Sequence, residues 1–290
     1  MAPGTLADEI RQRLGELSPA ERKVGRVLLA GYPAAGFETV AVLAERAGVS
    51  APTVLRFATR LGYSGFPALQ SALRAELEAR NAWPLTLYDR DAYERGPAGD
   101  DGEGLLRHGS DIFASAVGRT LAELPPHDLD RTVEYLSDPK RRITVAGGRF
   151  THLLAQYLAL HLMQLRDGVH ILPDRPVERT AALTACGRRD VLVLFDYRRY
   201  EQDKSVIAET LREKGGTVVL FTDAWLSPAT VHADVVLASQ VTAPSPYDSL
   251  VPTLAVVETT VAAVVNALGE KARTRMRQGE DTAVRHGLNA

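Results

Sequence analysis

Leu43-Ala44-Glu45-Arg46-Ala47-Gly48-Val49-Ser50-Ala51-Pro52-Thr53-Val54-Leu55-Arg56-Phe57 is the stretch that decides how the first part of this chain folds. It reads as a short helix, a glycine turn, and a second helix opening on the Ser50 hydroxyl as a cap. Gly48 sits where a positive φ is useful. Two short helices crossed at such a turn are what a chain needs to set one helix into a major groove. With the second helix starting after Ser50, Val54, Ala58 and Leu61 fall at i, i+4, i+7 and face a core. Thr53, Arg56 and Arg60 fall at i, i+3, i+7 on the opposite face. Phe57 lies between the two faces, under Tyr63 and Phe66. Ser50, Ala51 and Thr53 then occupy the helix N-terminus that reaches base edges, while Arg56 and Arg60 suit guanine or phosphate. The plain alternative is a solvated helix face bearing two arginines.

The flanking sequence is helical as well. Ser18-Pro19-Ala20-Glu21 is a capping box with proline at the first helical position. Val24, Val27 and Leu28 recur at helical spacing until Gly31-Tyr32-Pro33 stops the helix. Thr39 can cap the helix that carries Val40, Leu43, Ala44 and Ala47 inward. Gly62 and Gly65 close the recognition-type helix, and Phe66-Pro67 open another that runs to about Arg80. Residues 1–80 therefore form an all-helical DNA-binding domain. From 81 to 104 the periodicity collapses, and Gly96 to Gly104 has the composition of a flexible linker. Trp83, Tyr88 and Tyr93 read as an extended arm or as packing on a neighbour.

Residues 105–290 alternate differently. Two helices, about 105–123 and 127–137, precede apolar strands at Ile143–Ala146, Val169–Leu172, Val191–Phe195, Val218–Phe221 and Val235–Leu237. Helices at Phe150–Leu165, Val177–Ala185 and Ser205–Lys214 separate them, and one long helix from Ser249 to Ala272 follows. Strands apolar on both faces and spaced by helices imply a five-stranded parallel sheet covered on both sides, a three-layer α/β/α domain. The fold class is thus α followed by α/β.

Composition bounds the function. The chain has 290 residues, 45% hydrophobic and 24% charged, enough for two ordinary domains. Its single cysteine, Cys186, forms no internal disulfide and suits a reducing cytoplasm. The first residues show no signal peptide, and the most apolar window, Val251 to Leu268, is broken by Pro252, Glu258, threonines and Asn266, so no membrane partner is expected. Net charge is −2, yet residues 1–80 carry ten Lys/Arg against eight acids. That mild excess calls for specific contacts and a doubled reader rather than strong nonspecific binding. His152 and His161 stand nine apart, and no His/Cys/Asp cluster has metal-ligand spacing, so neither a metal nor a cofactor is expected. Gly147-Gly148 lacks the third glycine and downstream acid of a dinucleotide site.

Residues 18–77 resemble the N-terminal domain of the bacterial RpiR/MurR family of transcriptional regulators. The resemblance is carried by Leu17-Ser18-Pro19-Ala20-Glu21-Arg22-Lys23-Val24, the turn Leu43 to Ser50, Thr53 to Phe57, and Leu61-Gly62-Tyr63-Ser64-Gly65-Phe66. It implies a C-terminal sugar isomerase (SIS) domain that binds a carbohydrate-derived effector, usually a phosphosugar. It also implies a homodimer or homotetramer on a palindromic double-stranded DNA operator, with repression the commoner role. Two effector loops are implied. The first reads Ala146-Gly147-Gly148-Arg149-Phe150-Thr151, where the glycines are kept, the family serine is not in place, and Thr151 is the substitute. The second reads Phe195-Asp196-Tyr197-Arg198-Arg199-Tyr200-Glu201 and has lost its serine pair and glycine. Asp196 would repel a dianion where Arg198 and Arg199 would attract one or fork onto a carboxylate.

Three readings of this second loop stay open. It binds a different anion through its arginines, with Asp196 on a hydroxyl or amine. It forms an internal Asp–Arg network in place of a ligand. Or its arginines are surface charge. Thr222-Asp223 and Ser245 to Ser249 lie at the correct edge to finish the pocket, and Glu258 either faces it or pairs with an arginine. The expected function is a sequence-specific transcriptional regulator controlled by a small anionic metabolite: a phosphosugar, a sugar acid or a carboxylate. A constitutive regulator with a SIS domain used only for assembly, and a phosphosugar isomerase, are the alternatives. The altered loops supply no convincing phosphate cradle or catalytic base, so no enzyme is expected.

Overall fold

The computed structural model describes residues 6–80, 83–89 and 102–288. The chain divides into two compact units, residues 1–82 and 83–290.

In the first unit, α1 (Leu6–Arg13), α2 (Pro19–Ala30), α3 (Val40–Ala47), α4 (Ala51–Arg60) and α5 (Phe66–Arg80) surround one core. Ile10, Val24, Leu43, Val54, Phe57, Leu69 and Leu73 are among its fully enclosed side chains. The capping box at α2 forms as its sequence requires: the Glu21 N–H donates to Ser18 Oγ at 3.3 Å, and the Ser18 N–H donates to Glu21 Oε2 at 2.9 Å. That charge-assisted bond from the Ser18 backbone is the largest influence holding the buried Glu21 carboxyl below its usual pKa. Thr39 caps α3 by accepting from the Val42 N–H at 3.3 Å. Gly48 ends α3 at φ 60°, ψ 45°, its N–H donating back into the last turn. A side chain there would strain the left-handed backbone.

The second unit opens with a short helix, α6 (Pro84–Asp89), inside the stretch expected to be an extended arm. Tyr93 lies outside the described residues. Helix α7 (Gly102–Glu123) starts within the expected linker and is followed by α8 (Pro126–Ser137). Five strands follow: β1 (Arg142–Gly147), β2 (Val169–Ile171), β3 (Asp190–Phe195), β4 (Thr217–Asp223) and β5 (Val235–Ser239). They pair in parallel in the order β2-β1-β3-β4-β5. Alternation along β3 sends Val191, Val193 and Phe195 into a core shared with α8, α9 (His152–Leu165) and α12 (Val251–Leu268). Leu192 and Leu194 enter a smaller core under α10 (Pro176–Thr184) and α11 (Gln202–Glu213).

The expected single helix to Ala272 is in fact two. Gly269 at φ 53°, ψ −124° breaks it into α12 and α13 (Glu270–Arg285). Among the described residues α12 alone has the length and apolarity to cross a membrane, but its Val256, Val257, Thr260 and Val264 are buried in this core. Its apolar character belongs to the sheet packing.

Buried Arg166, at the end of α9, ties the start of the sheet to the helices before it. Its guanidinium donates to the carbonyls of Leu136 (2.7 Å), Asp138 (2.8 Å), Asp167 (3.0 Å) and Arg141. Methionine would keep the volume and strand those carbonyls. Arg166→Met is expected to lower the stability of this unit by about 3 kcal/mol, read as a leftward shift of its urea unfolding transition.

Candidate functional site

Two places on the chain concentrate chemistry, and each belongs to one unit. The first is the outer face of α4. Val54, Phe57 and Ala58 are fully buried, so Ser50, Ala51, Arg56 and Arg60 are left exposed on the other side. Leu55, 46% exposed, lies on the same side and could meet a thymine methyl. Thr53 departs from expectation: it is 5% exposed and points inward. Its hydroxyl lies 3.0 Å from Ser50 Oγ and accepts from Arg56 Nη2 at 3.1 Å. Ser50 therefore does not cap α4 with its side chain; its hydroxyl engages Thr53 instead. The helix-opening bond is carried by the Ser50 carbonyl, 2.9 Å from the Thr53 N–H. The result is a hydroxyl pair that orients one arginine. Phe57 is wholly a core residue, because the α4 register turns it toward Phe66.

The second place is a cavity of about 450 Å³ at the carboxyl ends of β1 and β3, lined by the loops after those strands and by residues 247–250. Between β1 and β3 the strand order reverses, since β2 lies on one side of β1 and β3 on the other. Open parallel sheets bind ligands at such a switch point. Gly147 pairs with Phe195 at the last rung. A Cβ on Gly147 would stand 2.6 Å from the His152 nitrogen and the Thr151 carbonyl carbon, so only glycine lets α9 start this close to the strand. The Thr151 hydroxyl accepts the Gly148 N–H at 2.8 Å and donates to the Phe195 carbonyl at 3.1 Å. The Arg149 N–H donates to Glu201 Oε1 at 2.8 Å.

In the loop after β3, Arg198 grips Asp248 with Nε at 3.2 Å and with Nη2, and its guanidinium lies 5.2 Å from the Trp225 ring centre. Arg199 Nη2 reaches the same carboxylate at 3.0 Å. Arg199 holds a left-handed backbone at φ 68°, and its Nη1 is buried without a hydrogen-bond partner. Asp223, at the end of β4, accepts the Arg198 N–H, the Trp225 N–H at 2.9 Å and the Tyr200 hydroxyl at 2.7 Å. Burial pushes its pKa upward. Asp196 is 3% exposed, and accepts from the Ser227 hydroxyl and the Glu201 N–H. Burial drives its pKa from 3.8 to about 6, against the pull of those donors and of Lys204.

Comparison with known proteins follows this division. Residues 4–80 match the family model described as a helix-turn-helix domain of the rpiR family, and residues 135–263 match the SIS domain. The chain belongs to the RpiR family of transcriptional regulators. It is 28% identical over 287 residues to the HTH-type transcriptional regulator HexR of Pseudomonas aeruginosa, covering 96% of this chain and 95% of that one. It is 29% identical over 213 residues to the uncharacterized HTH-type transcriptional regulator YfhH of Escherichia coli K12, covering 73% of each. The structure of the Vibrio vulnificus NanR protein complexed with ManNAc-6P shares the fold, with TM-score 0.53 and 16% identity over 97% of this chain and 98% of that one.

Within this RpiR-family chain the cavity gathers Gly148, Arg149, Thr151, Asp196, Tyr197, Arg198 and Arg199 of the expected effector residues. Two others brace it from outside: Gly147 packs beneath the turn, and Tyr200 holds Asp223. The Thr151 hydroxyl ties one loop to the other and is not turned to a ligand. The internal Asp–Arg network exists, but its acid is Asp248, because Asp196 is drawn under the loop to Ser227. Tyr197 donates to or accepts from Ser239 at 2.9 Å, and burial pushes its hydroxyl pKa upward. Glu258 faces neither the pocket nor an arginine; it meets the Tyr157 hydroxyl on the exposed side of α9 and α12. Sequence reading pointed to residues 245–249 only as pocket edge, and had no signal for Glu201 as an acceptor.

The Asp196 carboxyl binds its proton more tightly in the folded chain than in the unfolded one. Its ionisation therefore costs stability progressively as pH rises from about 4 through 6. Asp196→Asn keeps an acceptor for the Glu201 N–H and puts an uncharged amide in place of the carboxylate that the Ser227 hydroxyl donates to. It is expected to remove roughly 2–3 kcal/mol of the stability loss between pH 4 and 7. Urea denaturation across that range checks it, and an unchanged pH slope in the variant would refute the assignment.

Proposed function

We propose that residues 1–80 are a sequence-specific DNA reader and residues 105–290 a sensor domain whose ligand sits in the switch-point cavity. The exposed face of α4 carries this reading. Its inner side is locked into the core through Val54, Phe57 and Ala58, so Ser50, Ala51, Arg56 and Arg60 are presented on a rigid helix. Rigid presentation is what base readout requires. Thr53 acts one step back, by holding the Arg56 guanidinium.

The near-balanced charge of residues 1–80 makes a single reader weak, so the reading includes a dimer or tetramer on a palindromic operator. Half-sites would lie roughly 34–36 Å apart or at multiples of it. Leu153, Tyr157, Leu160 and Met163 form an exposed apolar stripe along α9, which supports pairing of the sensor domains. Ligand binding would then bias the spacing of two readers, with a coupling of about 1–3 kcal/mol. The NanR structure with ManNAc-6P supports a carbohydrate-derived ligand as the starting point. A regulator of this kind works in the bacterial cytoplasm.

Fluorescence anisotropy on the DNA upstream of the chain's own gene tests the reader. Arg56→Ala is expected to weaken specific binding by about 10–100-fold while leaving nonspecific binding nearly unchanged. Thr53→Val should cost less, through loss of orientation alone. Undiminished specific binding by Arg56→Ala would remove α4 from this role.

A further inference from the structure

The switch-point cavity holds two carboxylates where an incoming anion would bind. Glu201 Oε1 takes the Arg149 N–H at 2.8 Å, immediately before the N-terminus of α9. That position, loop amide and helix start together, is where open α/β sheets hold phosphate. Glu201 also passes close to Gly148, with its Oε1 only 3.0 Å from where a Cβ would be. Its second oxygen is 2.8 Å from Lys204 Nζ, whose side chain is 5% exposed, so the carboxylate is anchored rather than loose. The neighbouring Gly148 N–H is engaged by Thr151. Across the cavity, Asp248 takes both oxygens to Arg198 and one to Arg199 as well, all three side chains being at least 86% buried. A carboxylate so placed meets the guanidinium fork as a ligand's acid group would.

We propose that Glu201 and Asp248 are resident anions that determine specificity: they exclude phosphorylated ligands and restrict this site to uncharged or singly charged hydroxylated molecules. The inference rests on the cavity being the effector site of the sensor domain. A phosphate dianion entering it would displace neither carboxylate freely and would lie beside Asp196 as well. Such like-charge contacts are strongly unfavourable where water is scarce. Phe150, Tyr197, Tyr247 and Leu250 supply the apolar remainder of the lining, a surface suited to a sugar-like ring with few charges.

Isothermal titration calorimetry of the full chain with inorganic phosphate and with glucose 6-phosphate decides the matter. The probes are run on wild type, on Glu201→Ala/Asp248→Ala, and on the milder Glu201→Gln/Asp248→Asn, with circular dichroism confirming that each folds. Wild type is expected to bind neither probe below about 10 mM, and a folded double variant to bind inorganic phosphate at least about tenfold more tightly. Sub-millimolar binding of either probe by wild type would overturn the proposal. So would the absence of any gain in a folded double variant, since something other than these carboxylates would then exclude phosphate. Binding of operator DNA by the same preparations is read separately, so a failure of the regulator reading shows up there and not in the phosphate titration.

Discussion

The Thr151 hydroxyl joins the two loops of the switch point by accepting a hydrogen bond from the Gly148 N–H and donating one to the Phe195 carbonyl. Everything at the switch-point cavity depends on how closely β1, β3 and the start of α9 come together there. Gly147 permits the approach, because a side chain at that position would collide with backbone rather than with a yielding side chain. Once the loops are drawn together, the Arg149 amide faces Glu201, and the chain after Phe195 must turn sharply under β4. Arg199 accommodates that turn with a left-handed backbone, at a cost of about 1 kcal/mol or more for a residue with a Cβ. The ion pairs to Asp248 hold the turn in place.

The same loop explains why the site is so acidic. Three carboxylates, from the loop after β3, the end of β4 and the segment before α12, converge on two arginines and a set of backbone amides. Each acid has more than one donor, which is the condition for keeping charge in a half-buried place. At Asp196 burial outweighs the surrounding donors and raises its pKa to about 6. Its position under the loop, bonded to Ser227, makes it a structural acid of the turn. The two arginines are thus oriented by one shared carboxylate before any ligand arrives.

Much of the architecture was legible along the chain. Apolar runs such as Val191–Phe195, too short for helices and bounded by turn residues, leave little choice but buried parallel strands. The Ser18–Glu21 cap, the Thr39 cap and the Gly48 turn are local features, made within four residues, and they stand where the residue types require. Failures came where a local pattern had two solutions. Thr53 fits an exposed helical face by spacing, but the hydroxyl pair with Ser50 turns it inward. The helix through Val251 continues in pattern past Gly269, where a left-handed φ ends it and α13 begins. The stretch around Trp83 looked irregular because its helix is only six residues long, too short to show a period.

The sequence by itself determined the helical first unit and the run of buried parallel strands, covered by helices, in the second. These follow from hydrophobic period and turn chemistry, both of which act over a few residues. Only the tertiary structure decided which acid meets which arginine. Asp196 and Arg198 are two residues apart, and sequence distance suggests a pair, yet the strand end sends them to different sides of the loop. Asp248, fifty residues away, arrives at the arginines because α12 must begin beside the same sheet edge. Ion pairing is set by where rigid elements deliver the charges, and that delivery is a property of the packed sheet.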